Sequence, residues 1–339
     1  MNLNSALAEK QGGNEMKNIS KLLAGTALCL SLSVSTAIAQ VVTVATGAQG
    51  SIAFNSGQAV AKVANEAGIT ARTQPIVGYI PLINSGEIDF GFSNGVEAEY
   101  ALSGTGNYDR ENPNLRMVGT MFPLTTGIMA PCDLGLKTIA DVKPKAGDLR
   151  IASEYKQSTI IPFYIAGGLA NGGMTYDDFQ QVPVASFVAG INALGDGLVD
   201  IALVSLNSGA GKQAAVKLQG RGGLCYISLD DSDAGKAAFK EFLPAGQIAT
   251  FKQNPDNLGL ENGPANIMRI PWMMLTNKDV SNELVHKMTK MIAENKESLT
   301  ESFGLFRLAK PETMAPASKV PYHPGAVKYF DEAGIKIGG

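Results

Sequence analysis

The sequence predicts an α/β protein of two similar lobes with a ligand cleft between them. Three observations carry this expectation. Apolar strand-like runs alternate with helical runs, the order of a largely parallel sheet covered by helices. The stretch Val77–Asp89 aligns without a gap on Val188–Asp200, with coincident apolar positions and a recurring Gly-x-(Ile/Val)-Asp turn. Each copy is preceded by a strand whose polar loop opens into a helix, at Val41–Gly57 and at Leu149–Thr159. In such sheets ligands bind at the carboxyl ends of the strands. The competing arrangement is two βα repeats in one large sheet with no cleft. It ranks second because it leaves the two polar loops without a common use.

The first strand is not the start of the chain. Lys17 and Lys21 precede an apolar run, Leu22 to Val34, and Ala37-Ile38-Ala39 fits small-x-small cleavage. Residues 1–39 therefore read as an N-terminal extension and signal peptide, with cleavage after Ala39 and a periplasmic product. No later run is apolar enough to span a membrane. The formal net charge is -3 with no basic patch, which argues against a nucleic-acid partner. Beyond the signal stand Cys132 and Cys225, in a compartment that permits a disulfide; a disulfide and two separate buried thiols are both open. No Cys/His spacing suits a metal, so neither metal nor cofactor is expected.

In chain order, Val41 starts a strand that ends at Gly47 and Gly50, and Ser51 caps a helix with Ile52, Ala59, Val60, Val63 and Ala67 on its inner face. Ile69, Ala71 and Thr73 alternate as a strand. Gly78–Ser85 reads as a short helix and Ile88–Phe92 as a buried strand. Asn94 opens a further helix. Met117–Met121 and Thr126–Pro131 read as separate strands. Thr138 caps one helical turn. Leu149–Ser153 is a strand, and Ser158 is the expected cap of a helix over Thr159–Ala170. Gln181–Pro183 is a strand, Val188–Gly195 a helix and Val199–Val204 a strand. After Cys225–Asp231 the chain is expected to return to the first lobe. Ala234–Phe242 is helical, and Pro244–Asn266 reads as a long loop. Ile267–Thr276 is an apolar strand, Ser281 caps a helix to Leu299, and Gly325–Ala333 is a terminal helix. The lobes are thus expected at 40–131 plus 229–339 and at 132–228.

Five segments in this order resemble the TAXI subgroup of solute receptors for TRAP transporters: Thr46-Gly47-Ala48-Gln49-Gly50-Ser51, Gly86–Phe92, Gly135–Val142, Gly173–Asp178, and His323-Pro324-Gly325-Ala326. The resemblance covers essentially the whole chain after the signal. It implies a two-lobed type II periplasmic-binding-protein architecture that traps a small solute and passes it to a membrane TRAP permease. It also implies organic acids or acidic amino acids as the ligand class. The chain departs from the family at Ala53-Phe54, where relatives tend to carry a Tyr-Tyr pair.

The expected ligand-binding residues fall on strand-to-helix loops. Gln49, Gly50 and Ser51 form the first, where unpaired N–H groups and the helix dipole suit an anion. Lys156, Gln157, Ser158 and Thr159 form the facing loop; Lys156 reads equally well as a solvated lysine. Asn94 and Glu97 follow one buried strand, and Ser205 and Asn207 hold the equivalent place in the second lobe. Gly78 flanks a further step. Phe54 and Tyr79 have the shape to stack on a solute, though either fits a core. Trp272, His286 and His323 read as structural, and Asp89 and Asp200 as turn residues. Binding is the leading function, with an ABC importer or a sensor as alternative partners. An enzyme ranks below these: the chain has no Gly-x-Ser-x-Gly elbow and only 2 His.

Overall fold

The computed structural model describes residues 41–47, 49–254, 257–261 and 263–338. The expected signal peptide and cleavage site, and Ala48 of the first loop, lie outside the described residues.

The chain opens with strand β1 (Val42–Ala45), then helix α1 (Ile52–Glu66), strand β2 (Ala71–Gln74), helix α2 (Ile80–Ser85), strand β3 (Phe90–Asn94) and helix α3 (Gly95–Ser103). Strand β4 (Leu115–Pro131) leads to the short helix α4 (Ile139–Val142). A second series follows: β5 (Arg150–Glu154), α5 (Ile161–Asn171), β6 (Gln180–Val184), α6 (Phe187–Gly195), β7 (Ala202–Ser205), α7 (Gly209–Lys217) and β8 (Leu224–Tyr226). Helix α8 (Asp233–Phe242), strands β9 (Gln247–Phe251) and β10 (Ala265–Asn277), and helices α9 (Asn282–Glu294), α10 (Lys296–Ser302) and α11 (Pro324–Glu332) complete the chain.

The main sheet has the order β2-β1-β3-β10-β4-β7, with β8 on β4 and β9 on β10. Strands β5 and β6 pair in parallel, and Ile151 bridges to Ile201 just before β7. The two long strands β4 and β10 run antiparallel through the whole assembly. Beside β3, β10 uses Trp272 to Thr276; beside β9 it uses Ala265 to Arg269. Strand β4 meets β7 from Thr126 to Met129 and β8 from Met129 to Pro131. Between these regions Pro123 of β4 stands directly opposite Pro271 of β10. The sheet there narrows to two strands. Proline has no N–H to donate, so these positions leave no backbone donor without a third strand.

Cores lie on both sides of this waist. On one side Val44, Phe90, Phe92, Phe122, Trp272 and Met274 pack under α1, α9 and α11, and Tyr79, Ile83, Leu115 and Leu275 fill the opposite face under α2 and α3. On the other side Ile128, Ile151, Ile165, Leu194, Leu203 and Met268 form a second core. Phe239 and Leu243 of α8, and Leu258, Leu260 and Ile267, belong to this second core. Helix α8 thus packs on this core before β10 runs back to β3.

The repeat seen in the sequence is structural. The Asp89 carboxylate accepts the backbone N–H of Thr43 in β1 at 2.7 Å, and the Asp200 carboxylate accepts that of Arg150 in β5 at 3.0 Å. Each aspartate ties the turn before one strand to the first strand of its own series. Asp200 also takes both arms of the Arg150 guanidinium at 2.9 Å. Burial alone would raise its pKa, and the Arg150 hydrogen bonds reverse that and hold it below the usual carboxylate range.

Other expectations change. Leu115–Pro131 is one strand, not two, because Pro123 sits where no outer partner is needed. The long loop after Pro244 contains β9, paired to β10 along its length. The expected helix from Ser281 to Leu299 breaks at Asn295, whose side chain donates to the Met291 carbonyl at 2.8 Å. Ser158 does not cap α5. That helix begins after Ile160, and the Ser158 hydroxyl accepts the Phe187 N–H instead, at 3.3 Å.

Cys132 and Cys225 form a disulfide across a sequence separation of 93, joining the end of β4 to β8. Closing a loop of that length removes much chain entropy from the unfolded state. Replacing both cysteines with serine is expected to lower unfolding stability by about 2–5 kcal/mol. Denaturant titration checks this, and reductant should reproduce the loss in the parent protein.

Candidate functional site

Four strand-to-helix steps place the candidate residues. In the first, Gly47 and Gly50 adopt φ of +63° and +79°, a region that favours glycine. Ser51 caps α1 by accepting the Phe54 N–H at 3.0 Å. The hydroxyl is thus used by the helix, and Gln49 and Gly50 are exposed at the turn. Gly78, with φ of +72°, is exposed beside Val77, and Phe54 is half-buried at the start of α1.

The second step is a closed polar cluster. Asn94 caps α3 from the Glu97 N–H at 2.9 Å and donates its amide to the Glu97 carboxylate at 3.1 Å. Tyr108 donates to the other Glu97 oxygen at 3.2 Å. Burial pushes the Glu97 pKa up, and hydrogen bonds from Tyr108, Asn107 and Asn94 offset part of that rise. The side chain as a whole keeps some exposed surface, so the shift belongs to its enclosed carboxyl group. Burial first and the Glu97 charge second raise the phenol pKa of Tyr79, Tyr108 and Tyr164. Tyr79 donates its hydroxyl to the Phe92 carbonyl. From this cluster contacts cross to the second lobe. Asn107 donates to Thr159 at 3.1 Å, the Tyr100 and Phe163 rings meet edge-on at 5.2 Å, and the Tyr100 hydroxyl donates to the Phe242 carbonyl. The Asn107 amide oxygen is buried without a partner.

The third step is the loop after β5. Glu154 and Tyr155 take consecutive left-handed conformations, φ of 62° and 48°, which costs energy in non-glycine residues. The fully buried Tyr155 ring pins this turn, packing under Gly190, where a Cβ would lie 2.7 Å from its hydroxyl. Lys156 points outward with 80% of its side chain exposed and pairs with Glu154 at 3.1 Å. Its ammonium stands in solvent beside that carboxylate. Gln157 is exposed, with its N–H on the Ala185 carbonyl.

The fourth step, after β7, differs from the second in length. Asp89 and Asp200 set matching positions, so Ser205 corresponds to Asn94. Helix α3 starts directly after Asn94, whereas α7 starts after Ser208, its N-cap. The added residues form a turn closed by the Ser208 N–H on the Ser205 carbonyl at 2.9 Å. This turn carries Asn207 to the wall of a cavity of about 490 Å³ beside the waist. Thr125 of β4, Arg269 of β10, Thr250 and Phe251 of β9, and Arg307 with Leu308 after α10 also line it. Of the expected site residues, only Asn207 reaches this cavity. Thr159, Asn94 and Glu97 belong to the separate polar cluster described above.

Sequence reading missed both arginines. Arg269 interrupts the apolar run from Ile267 to Thr276, and a lone charge in such a strand was the available signal. Arg307 had none. It follows Phe306, whose buried ring meets Phe122 edge-on at 5.2 Å, and only that tertiary contact fixes its position. The structural readings of other residues agree with their placement. Trp272 stacks on Phe92 and donates to Ser56 at 3.0 Å, His323 caps α11, and His286 pairs with Glu332 at 2.7 Å. Among the described residues there is no cluster suited to a metal, and no helix is long and apolar enough to cross a membrane.

A model of the NMT1-like family matches residues 44–334. The chain belongs to the NMT1-like family. The fold is that of the two-lobed type II periplasmic binding proteins. MatC from Rhodopseudomonas palustris, solved with bound malate, is 13% identical over 87% of this chain and 96% of its own, with a TM-score of 0.52. The periplasmic binding protein BugD is 14% identical over 88% and 98%, with a TM-score of 0.50. A third structure, described as a periplasmic transporter, is 11% identical over 86% and 94%, with a TM-score of 0.50.

The Glu97 cluster of this NMT1-like protein makes a pH prediction. The folded state holds the Glu97 proton more tightly than the unfolded chain does. That advantage is complete below the unfolded pKa and is lost as pH rises through the raised folded pKa. Glu97→Gln removes the titration. Melting temperatures of the two proteins from pH 4 to 8 should therefore show the variant gaining on the parent as pH rises. A constant difference across that range rejects a raised Glu97 pKa.

Proposed function

We propose that this chain is an extracytoplasmic solute receptor of the TAXI type, which takes a small organic anion between its lobes and delivers it to a TRAP-type permease. The observation that supports the anion is the waist cavity. Among the described residues its walls carry Arg269, Arg307 and Asn207 and no carboxylate. Among the described residues neither arginine pairs with an acid. Guanidinium groups in a partly enclosed pocket suit carboxylates through paired N–H donors. MatC, of the same fold, was solved with bound malate, which agrees with the reading.

The lobes are drawn at residues 40–124 plus 271–339 and at 125–270, with the division at the paired prolines. The cavity then receives Arg307 from one lobe and Asn207 from the other, so a solute there spans both. The product acts in the periplasm after removal of residues 1–39. We read it as a binding protein rather than an enzyme, in keeping with the family match and with fold neighbours described as binding or transport proteins.

A thermal-shift panel of organic acids, amino acids and sugars tests the function. A ligand at about one hundred times its Kd contributes about 2.7 kcal/mol of stability. Organic acids are expected to raise the melting temperature in a dose-dependent way and sugars to leave it unchanged. Stabilisation by sugars alone would reject the anion. N-terminal sequencing of the periplasmic fraction should begin at Gln40.

A further inference from the structure

Helix α3 is shared between the cores of the two lobes. Val96 and Tyr100 are buried in the second core, while Ala98 and Ala101 belong to the first-lobe core under α2. At its first residue, Gly95, a Cβ would stand 2.6 Å from Pro271 and 3.2 Å from Ala245 of the segment after α8, so only glycine fits the seam. The Tyr100 hydroxyl donates to the Phe242 carbonyl at the end of α8, and its ring meets Phe163 of α5 edge-on. Asn107, in the loop after α3, donates to Thr159 just before α5. We propose that α3 and the loop after it latch the lobes together, and that the latch opens when the Glu97 carboxyl loses its proton. The latch goes beyond the receptor reading and holds whatever the solute is.

Glu97 lies in the first turn of α3, within the polar part of this seam. The groups that face it are the amides of Asn94 and Asn107 and the phenols of Tyr108, Tyr79 and, from α5 of the second lobe, Tyr164. Charged residues on the same elements have other partners. Glu99 pairs with Lys319 at 3.5 Å, Lys156 before α5 with Glu154 at 3.1 Å, and Arg110 beyond Tyr108 with Asp109 at 3.6 Å.

A carboxylate enclosed among neutral groups is disfavoured relative to one in water, so opening the seam stabilises the charge and closing it stabilises the neutral acid. A second observation points the same way. The Asn107 amide oxygen is buried without a donor, and a protonated Glu97 brings to the cluster the donor it lacks. The closed form thus holds the proton more tightly than the open form. Its advantage is complete below the open-form pKa and is lost as pH rises through the closed-form pKa, by up to about tenfold in the closed-to-open ratio per pH unit.

Electron–electron distance measurement between spin labels tests this, with labels on Gln58→Cys in α1 and Gln213→Cys in α7, both exposed positions. Without added solute, the share of the longer distance is expected to rise at least fivefold from pH 4.5 to 8 along a one-proton curve. Glu97→Gln, a neutral side chain of the same shape, should hold the short distance across that range. Tyr100→Phe, which removes the hydroxyl bond to Phe242, should raise the open share at every pH and keep the titration. Circular dichroism of each variant at pH 5 and 8 should match the parent, so that the distances report the lobes and not unfolding. A parent distance that ignores pH overturns the proposal. So does a pH response that survives Glu97→Gln, or a Tyr100→Phe variant with the parent's distances throughout.

Discussion

Two antiparallel strands carry the whole architecture, and their narrowest point is a pair of facing prolines. Strand β10 pairs with β3 of the first series, strand β4 pairs with β7 and β8 of the second, and the two pair with one another along their length. At Pro123 and Pro271 neither has a third strand beside it. A sheet interior cannot leave N–H groups bare, and proline meets that limit by having none. Everything that distinguishes two lobes from one slab follows: the sheet thins, side chains on either side collapse into separate cores, and a space opens beside the waist. The same crossing puts Thr125 and Arg269 in register, so the strand pairing that joins the lobes also positions part of the cavity wall.

On each side of that waist the chain applies one device. A strand ends, a turn closes on an aspartate, and the aspartate reaches back to the first strand's backbone. Asp89 and Asp200 do this with different strength. Asp89 holds one N–H, while Asp200 holds an N–H and a bidentate guanidinium. The disulfide from Cys132 to Cys225 then fastens the second lobe's outer strand to β4. The second lobe thus has a covalent tie, and the first centres on an aromatic cluster of Phe90, Phe92, Phe122 and Trp272.

What was readable in the sequence follows from how local each feature is. The repeat, the glycine turns and the Ser51, Asn94 and Ser281 caps depend on neighbours within a few residues, and the structure keeps them. The continuity of β4 was hidden because Pro123 ordinarily ends a strand, and only its partner across the sheet permits it. Strand β9 was hidden among Pro, Gly and Asn because its pairing with β10 is what makes it a strand. Ser158 has the spacing of a cap, yet the left-handed turn at Glu154 and Tyr155 carries its hydroxyl to Phe187 instead.

The site was less legible for a sharper reason. Residue type gives a group's capacity for hydrogen bonds and charge pairing, while function depends on how much of that capacity the protein leaves unused. Glu97 looked like a cleft residue, and it stands near one, but Asn94, Tyr108 and Asn107 already supply its donors. Lys156 carried the expected charge, but Glu154 balances it at the surface. Arg269 and Arg307 drew less notice in the sequence and have no acid against them among the described residues. Unspent charge beside a cavity is a property of three-dimensional arrangement. On the function proposed above it draws attention from the first strand-to-helix loop to the cavity beside the waist, which Arg269 and Arg307 line.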